Sequence, residues 1–409
     1  MENNKEVKSR NSIINNIIIT LLFILLFIGS LNANGSKIGI LSLGVVVGFT
    51  NVFYFLRVIY RRRMKLSDAI ILLLTMFYII VSLISSQIGL GNKGLTNTFE
   101  FVACIGVYLY FSSCDWNEKV IQSIYRISII FVSLHFLVWI AQGLGRQFSS
   151  IYPNSNILGP FMFLAIYFIL MRIFTTNKRT IPYIFLLIAL IILIASDTRS
   201  VLLSILVGVA IYLLWNKIIK FKIGSIITFL IIVIGFGSVV FLYPKLPRWS
   251  QYGKLESWML EHTGKSIMSG RADIWGRLSN LIDLRPVFGF GPNTVATDVI
   301  GRNASSHNLY INMALQTGYL GLIIFIFILF TIFMKYVYRG QNKLVRLSAA
   351  GFIAILAHQL FEITLVQNQL SIGLFQWVVI ATGAGMTLKN YDVKKESEEI
   401  SDEKEVAGI

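Results

Sequence analysis

Long apolar runs of about 20 residues recur from one end of the sequence to the other, and they limit the fold more than any other feature. In lipid, only α-helices and closed β-barrels satisfy all of their backbone polar groups. The sequence lacks the short alternating segments that build a barrel. We therefore predict an all-α, polytopic membrane helical bundle.

We predict about twelve transmembrane helices, because each apolar run is long enough to cross the hydrocarbon core. The runs are Ile13–Leu31, Ile38–Tyr60, Leu66–Ile88, Thr98–Cys114, Ile121–Leu144, Ile157–Phe174, Ile181–Ser196, Ser200–Trp215, Ile223–Tyr243, Asn308–Tyr338, Val345–Val366 and Leu370–Leu388. The first run lacks a clear small-residue cleavage site and is expected to be a retained helix. Residues 1–388 are thus expected to form one transmembrane domain.

The net charge of +16 follows the predicted topology, so it does not indicate a nucleic-acid partner. Lysine and arginine concentrate in alternate loops, which the positive-inside rule assigns to the cytoplasm. This asymmetry predicts a multi-pass protein of the cell membrane with both termini cytoplasmic. The charged stretch 389–409 is expected to be a disordered cytoplasmic tail.

The same topology places one long loop, about residues 244–307, on the outer side, and its length is unusual for a simple connection. A helix over Ala272–Leu284 is predicted, because four apolar residues share one helical face: Ile274, Leu278, Leu281 and Ile282. Arg285 and Pro286 end that helix, and the glycine-rich stretch Phe288–Asn293 predicts a turn.

Three residues at the outer side are candidates for chemistry. Arg199 lies in a short turn between two apolar runs, where a guanidinium suits the oxygens of a lipid phosphate, although interfacial anchoring is an alternative. Arg271 precedes the predicted loop helix and either binds an anion or is simply solvated. The imidazole of His307 can accept a proton from a sugar hydroxyl, although a helix-capping segment also explains its neighbours.

Other ionisable residues lie within or beside the predicted spans. His358 and Glu362 are four residues apart and are expected to share one helix face, either as a structural pair or lining a cavity. His135 and Glu100 offer weaker versions of the same argument. The outer segments contain no pair of carboxylates suited to a divalent metal, and the two cysteines show no metal-ligand spacing. We therefore expect neither a metal nor a cofactor.

Four segments together resemble the O-antigen polymerase and ligase family of bacterial membrane glycosyltransferases. They are Tyr152-Pro153-Asn154-Ser155-Asn156-Ile157-Leu158-Gly159; Ser196-Asp197-Thr198-Arg199-Ser200; Gly270-Arg271-x-x-x-Trp275 with Gly289-x-Gly291; and His307-Asn308-x-Tyr310 with Gly318-x-x-Gly321. The order and spacing carry the resemblance, which covers Tyr152 to Gly321. The earlier spans match only in hydropathy.

The resemblance implies a glycosyltransferase-C-like bundle that acts on undecaprenyl-diphosphate-linked sugars at the outer leaflet. It implies that His307 is the base and that Arg199 and Arg271 hold the diphosphate without a metal. Substrate-binding roles are expected for residues near these positions. They are Arg277, Asn308, Tyr310, Asn156, Trp275 and Glu362.

Several activities stay open at this point. We favour a polymerase of capsular, exopolysaccharide or O-antigen repeats. Little outer sequence follows the His307 segment, and abundant Ile, Asn and Lys are typical of low-GC bacteria, many of which lack lipid A. An O-antigen ligase-type transfer is the first alternative. From other classes, a flippase or secondary transporter suits many spans, and a partner of the capsule or exopolysaccharide assembly proteins is also compatible.

Overall fold

The computed structural model describes residues 2–62, 64–90, 93–264, 266–268, 270–301, 304–338 and 342–386, and their regular structure is helical throughout. Side chains of residues 2–12 and 61 are not described. The helices are α1 Glu2–Gly29, α2 Lys37–Arg61, α3 Leu66–Ile88, α4 Thr96–Ser112, α5 Glu118–Ala141, α6 Ser155–Thr175, α7 Thr180–Ser196, α8 Arg199–Ile218, α9 Lys222–Leu242, α10 Tyr252–Thr263, α11 Arg271–Ile282, α12 Ala296–Ile300, α13 Leu309–Val337, α14 Lys343–His358 and α15 Leu370–Met386. The predicted tail, 389–409, lies outside the described residues.

Eight helices in the described part of the chain are long and apolar enough to cross a bilayer. They are Ile13–Asn34, Lys37–Tyr60, Leu66–Ile88, Glu118–Ala141, Ser155–Thr175, Arg199–Ile218, Lys222–Arg248 and Leu309–Val337. Thr180–Ser196 and Leu370–Met386 are shorter apolar helices. The protein is thus a polytopic helical membrane protein, and the larger number of about twelve crossings stays a prediction.

Alternate connections gather at one end of the bundle, as the predicted topology requires. At this end, Leu90 N–H after α3 donates to Phe290 O (3.0 Å), and Thr198 Oγ1 between α7 and α8 donates to Ser155 O at the start of α6 (3.0 Å). At the opposite end, a buried ion pair joins Lys335 of α13 to Asp68 of α3 (2.8 Å). The side of the membrane that each end faces stays a prediction.

Small residues allow α8 and α14 to pack closely. In α8, a Cβ at Gly208 would lie 3.1 Å from the Ala354 Cβ and 3.3 Å from the Ala350 carbonyl of α14. Such residues let two backbones approach in a membrane, where dispersion contacts replace the hydrophobic drive of water. The α8–α14 pair therefore forms a firm support for the residues at the start of α8 and the end of α14.

Helix α13 is broken at Gly318, where φ is 66° and ψ is −175°. The preceding glycine-rich turn inserts at this break. Phe290 N–H donates to Leu315 O (2.8 Å), Gly291 N–H donates to Gln316 O (3.0 Å), and Tyr319 N–H donates to Pro286 O (2.7 Å). Backbone groups that the broken helix leaves unpaired thus find partners in the turn, as buried backbone groups must. This confirms the predicted turn and explains why it is glycine-rich.

Helix α14 ends at His358, so the predicted helical run to Val366 is wrong. Gln359 causes the ending, because its side-chain Oε1 accepts hydrogen bonds from the backbone N–H groups of Thr364 and Leu365, both at 3.0 Å. Residues 359–369 therefore form a folded connection. Glu362 belongs to this connection, and the prediction that it shares a helix face with His358 is also wrong.

The segment between α9 and α13 is structured rather than a plain loop. It contains a short 3₁₀ turn, Tyr243–Arg248, and then α10, α11 and α12. Helix α11, Arg271–Ile282, closely matches the predicted Ala272–Leu284 helix. Its Leu278 and Ile282 are buried, as their spacing predicts, whereas Ile274 and Leu281 are half-buried. Trp275, which the spacing did not single out, is buried as well. The buried stripe fixes the orientation of α11 and therefore the position of Arg271, its first residue.

Candidate active site

The three candidate residues each lie at the start of a helix. Arg199 is the first residue of α8, Arg271 is the first residue of α11, and His307 directly precedes Asn308, the N-cap of α13. The N-terminal ends of helices carry partial positive charge and free N–H groups. The sequence thus places two guanidinium groups and one imidazole where backbone dipoles already favour an anion.

Glu362 joins His307 to Arg271. Its Oε2 lies 3.3 Å from His307 Nδ1, and its Oε1 lies 3.7 Å from Arg271 Nη2. The Arg271 guanidinium also donates to Phe361 O (3.2 Å) and lies over the Phe361 ring. The Glu362 side chain is only 8% exposed, whereas that of His307 is 41% exposed. A nearly buried carboxylate therefore holds one nitrogen of an accessible imidazole.

Tyr243 brings Arg199 to the same cluster. The guanidinium groups of Arg271 and Arg199 both lie near enough to the Tyr243 hydroxyl to act on it electrostatically. Arg199 Nη2 donates to Ser266 O (3.2 Å), while the Tyr243 hydroxyl donates to the next carbonyl, Ile267 O (2.9 Å). His307, Arg271 and Arg199 thus converge, although they come from three separate parts of the chain.

Buried neighbours fix the backbone at His307. This residue has a left-handed φ of 43°, which is unfavourable for an L side chain and needs support. The Asn308 side chain accepts from Ile311 N–H (3.0 Å) and donates to Leu360 O (2.9 Å), and Trp275 Nε1 donates to Ser306 O (2.6 Å). Asn308 therefore caps the helix, as the helix-capping alternative predicts, and both its amide oxygen and its amide nitrogen bind backbone groups.

The remaining predicted substrate-binding residues occupy different positions. Trp275 is buried beneath the cluster, and its ring packs against Tyr243 at 4.8 Å. Tyr310 donates to Leu356 O (2.8 Å) one turn after His307. Asn156 is exposed at the start of α6, beside the Arg199 turn. Arg277 is not brought to the cluster, because it pairs with Asp273 at 2.9 Å on another face of α11.

Two contributors, Tyr243 and Phe361, are absent from the sequence prediction. An aromatic residue at the end of a span is typical of the interfacial belt, so Tyr243 had no distinguishing feature. Phe361 was assigned to the interior of a helix that in fact ends at His358. The tight Gln359 connection that places Phe361 and Glu362 beside Arg271 has no short-range sequence pattern that predicts it.

An apolar groove of about 150 Å³ runs between α9 and α13 and ends beside the cluster. It is lined almost entirely by hydrocarbon side chains from α9, α11, α13 and α14. Tyr310 and Ile311, in the first turn of α13, lie at one end of the groove, and Phe229 and Leu329 lie at the other. This apolar lining suits a hydrocarbon chain.

The chemistry available to the cluster follows from these contacts. A carboxylate that accepts from Nδ1–H leaves Nε2 of a neutral imidazole able to accept a proton. Nε2 of His307 has no hydrogen-bond partner among the described residues. Two arginines beside it suit phosphate oxygens. No group of three or more His, Cys, Asp or Glu side chains suited to a metal ion occurs in the described part of the chain.

The fold and the cluster define a polytopic membrane protein with an imidazole, a nearly buried carboxylate and two guanidinium groups gathered at one end of its bundle. A family model described as O-antigen ligase matches residues 184–326. The matched stretch contains Arg199, Arg271 and His307, and it confirms the resemblance to the O-antigen polymerase and ligase family over these residues. Comparison with curated proteins finds no match.

Proposed function

We propose that this protein is a polysaccharide polymerase, which joins undecaprenyl-diphosphate-linked oligosaccharide repeats at the outer leaflet during capsule, exopolysaccharide or O-antigen synthesis. The proposal depends on one observation, the convergence of three side chains. His307 and Arg271 both lie beside Glu362, and Arg271 and Arg199 both lie near Tyr243. A base and two phosphate-binding groups within one cluster are what glycosyl transfer from a diphosphate requires.

In the proposed reaction, His307 Nε2 removes the proton from an acceptor sugar hydroxyl. The hydroxyl oxygen attacks the anomeric carbon of the donor, and the bond from that carbon to the diphosphate oxygen breaks. The bonding electron pair leaves with the diphosphate. Glu362 fixes the ring tautomer and stabilises the imidazolium that forms, as a carboxylate does in other histidine bases.

Arg199 and Arg271 stabilise the negative charge that develops on the leaving diphosphate. The N-termini of α8 and α11 add to the favourable potential. This arrangement supplies the positive charge from arginine side chains, so the proposed reaction proceeds without a metal. Membrane attachment of donor and acceptor raises their effective concentrations at the cluster.

The apolar groove supports a lipid-linked substrate. Its end at Tyr310 lies one helical turn from His307, so an isoprenoid chain within the groove brings its diphosphate to the arginines.

An O-antigen ligase-type transfer is the second candidate, favoured by the description of the matching family model. It uses the same donor and the same cluster but a different acceptor. A flippase or transporter is the candidate of another class. It moves a substrate without forming a glycosidic bond, and it gives no role to a base beside two arginines at one end of the bundle.

Purified protein incubated with a lipid-linked repeat, without any ion gradient, tests the proposal. We expect a ladder of longer chains and one undecaprenyl diphosphate released for each new linkage. Transfer only to an added lipid A core acceptor would identify a ligase. Movement of the repeat across sealed vesicles without any new linkage would overturn the proposal in favour of a flippase.

A further inference from the structure

Helix α10 carries an apolar stripe that is largely exposed. Leu255, Trp258 and Met259 lie at spacings of three and four residues and therefore share one face, whereas Ser257 and Glu261 lie on another. None of the 12 residues of α10 is buried. Leu255 is 44% exposed and Trp258 is 52% exposed. Large apolar side chains on one face of a surface helix indicate contact with an apolar phase.

The chain holds α10 close to the end of a membrane span. The candidate span Lys222–Arg248 ends four residues before Tyr252, so the start of α10 lies within about 14 Å of the span's end at full extension. Trp249, which follows the span, is 53% exposed, and Lys245 and Arg248 at the end of the span are exposed as well. Tryptophan with lysine and arginine is typical of the layer where lipid headgroups meet water.

We infer that α10 lies on the bilayer surface, with its apolar stripe in the boundary between lipid headgroups and acyl chains. The occupant of this face is lipid rather than protein, because exposed apolar residues lead along the chain from the membrane span into α10. They are Phe241 and Leu242 of α9 and Trp249. An amphipathic helix that is tethered at the end of a span adopts this position readily. The inference depends on membrane insertion alone and not on the proposed reaction.

Helix α10 is also coupled to the cationic cluster. Glu256 accepts hydrogen bonds from Ile267 N–H (3.0 Å) and from the Tyr252 hydroxyl (3.1 Å). Hydrogen bonds from Ser266 and Ile267 lower the pKa of the Glu256 carboxyl from its ordinary value. Arg199 donates to the carbonyl of the same Ser266. The depth of α10 in the lipid surface therefore helps to set the position of the loop that holds Arg199.

Spin labels on α10 in proteoliposomes test the inference. Both native cysteines, Cys104 and Cys114, are buried and should not react, so Leu255→Cys, Trp258→Cys and Ser257→Cys can each be labelled singly. We expect labels at 255 and 258 to collide several-fold more with oxygen, which concentrates in lipid, than with a water-soluble nickel chelate. The matched label at 257 should show the reverse preference. Nickel accessibility at all three positions, or no accessibility to either reagent at 255 and 258, would overturn the inference.

Tryptophan quenching provides a second measurement without a label. The emission of Trp258 is the difference between the emission of wild type and that of Trp258→Phe. Lipids brominated near the headgroup should quench the Trp258 emission. Lipids brominated at the ends of their acyl chains should quench it less. Equal emission of Trp258 in brominated and ordinary lipids, with the protein still monodisperse on gel filtration, would contradict an interfacial helix.

Discussion

At the scale of single residues, Glu362 has the most constrained position in the cluster. It is almost buried, and it meets both His307 Nδ1 and the Arg271 guanidinium. A buried carboxylate is costly unless it is paired, and here two partners compensate for its desolvation. The sequence suggested a substrate-binding role for Glu362. The contacts favour a positioning role, in which it acts through His307.

Replacing Glu362 with glutamine should lower kcat strongly while preserving the size of the side chain. The substituted side chain has no charge to stabilise an imidazolium, and its amide can favour the wrong tautomer of His307. We expect a loss of about 10²-fold or more, within the range of general-base contributions. The double variant Glu362→Gln, His307→Ala should be no slower than His307→Ala alone, because the two residues act as a unit. Additive losses would show that Glu362 acts independently of His307.

Arg199→Gln and Arg271→Gln should each weaken the binding of undecaprenyl diphosphate, the expected product. Arg146→Gln is the matched control, since Arg146 is exposed in the connection between α5 and α6. A lost charge-assisted hydrogen bond corresponds to about 10-fold or more in Kd, at about 1.5–3 kcal/mol. Binding to detergent-solubilised protein measures the effect. Unchanged affinity in both variants would show that Arg199 and Arg271 do not bind the diphosphate.

At the scale of elements, sequence patterns predicted what depends on local spacing. The apolar stripe of α11 and the turn after it were both predictable, because burial and glycine content leave short-range patterns. The end of α14 was not predictable. Many residues after His358 remain apolar, but the helix stops where the Gln359 side chain binds the N–H groups of Thr364 and Leu365, five and six residues later. This side-chain contact outweighs helix propensity.

Gly318→Ala should destabilise the protein, because α13 needs a left-handed residue at its break. A Cβ at this position would lie 2.2 Å from Val287 O, and the positive φ alone costs about 1–3 kcal/mol in a non-glycine residue. Thermal unfolding in detergent should show a lower Tm. The control is Gly235→Ala in α9, where an added Cβ meets nothing within 4 Å and the Tm should not fall. An unchanged Tm in Gly318→Ala would show that the inserted turn moves away from the added Cβ without loss of stability.

At the scale of the whole molecule, charge asymmetry predicted which connections share an end, and the fold brings them together as expected. The convergence of Arg199, Arg271 and His307 was implied only by the family resemblance. Residue spacing gave no distance between segments that are far apart in the chain. Tyr243 and Phe361 could not be found for the same reason, since their roles depend on how α9, α11 and the α14–α15 connection meet.

The predicted orientation can be measured in intact cells. A membrane-impermeant thiol reagent should label Arg146→Cys from outside, because the positive-inside rule assigns the cluster end to the outer face. Lys178→Cys, at the opposite end and also exposed, should react only after the membrane is opened. The buried native cysteines give the background. The reverse pattern would place the cluster in the cytoplasm and exclude an outer-leaflet reaction.

The most direct test of the central claim compares wild type with His307→Ala on the same lipid-linked repeat. We predict that wild type extends the repeat into longer chains. His307→Ala should be slower by about 10²- to 10⁴-fold, the usual contribution of a general base, while it still binds undecaprenyl diphosphate through the arginines. Chains of normal length and rate from a His307→Ala protein that is folded and free of wild type would contradict the assignment of this cluster as the active site.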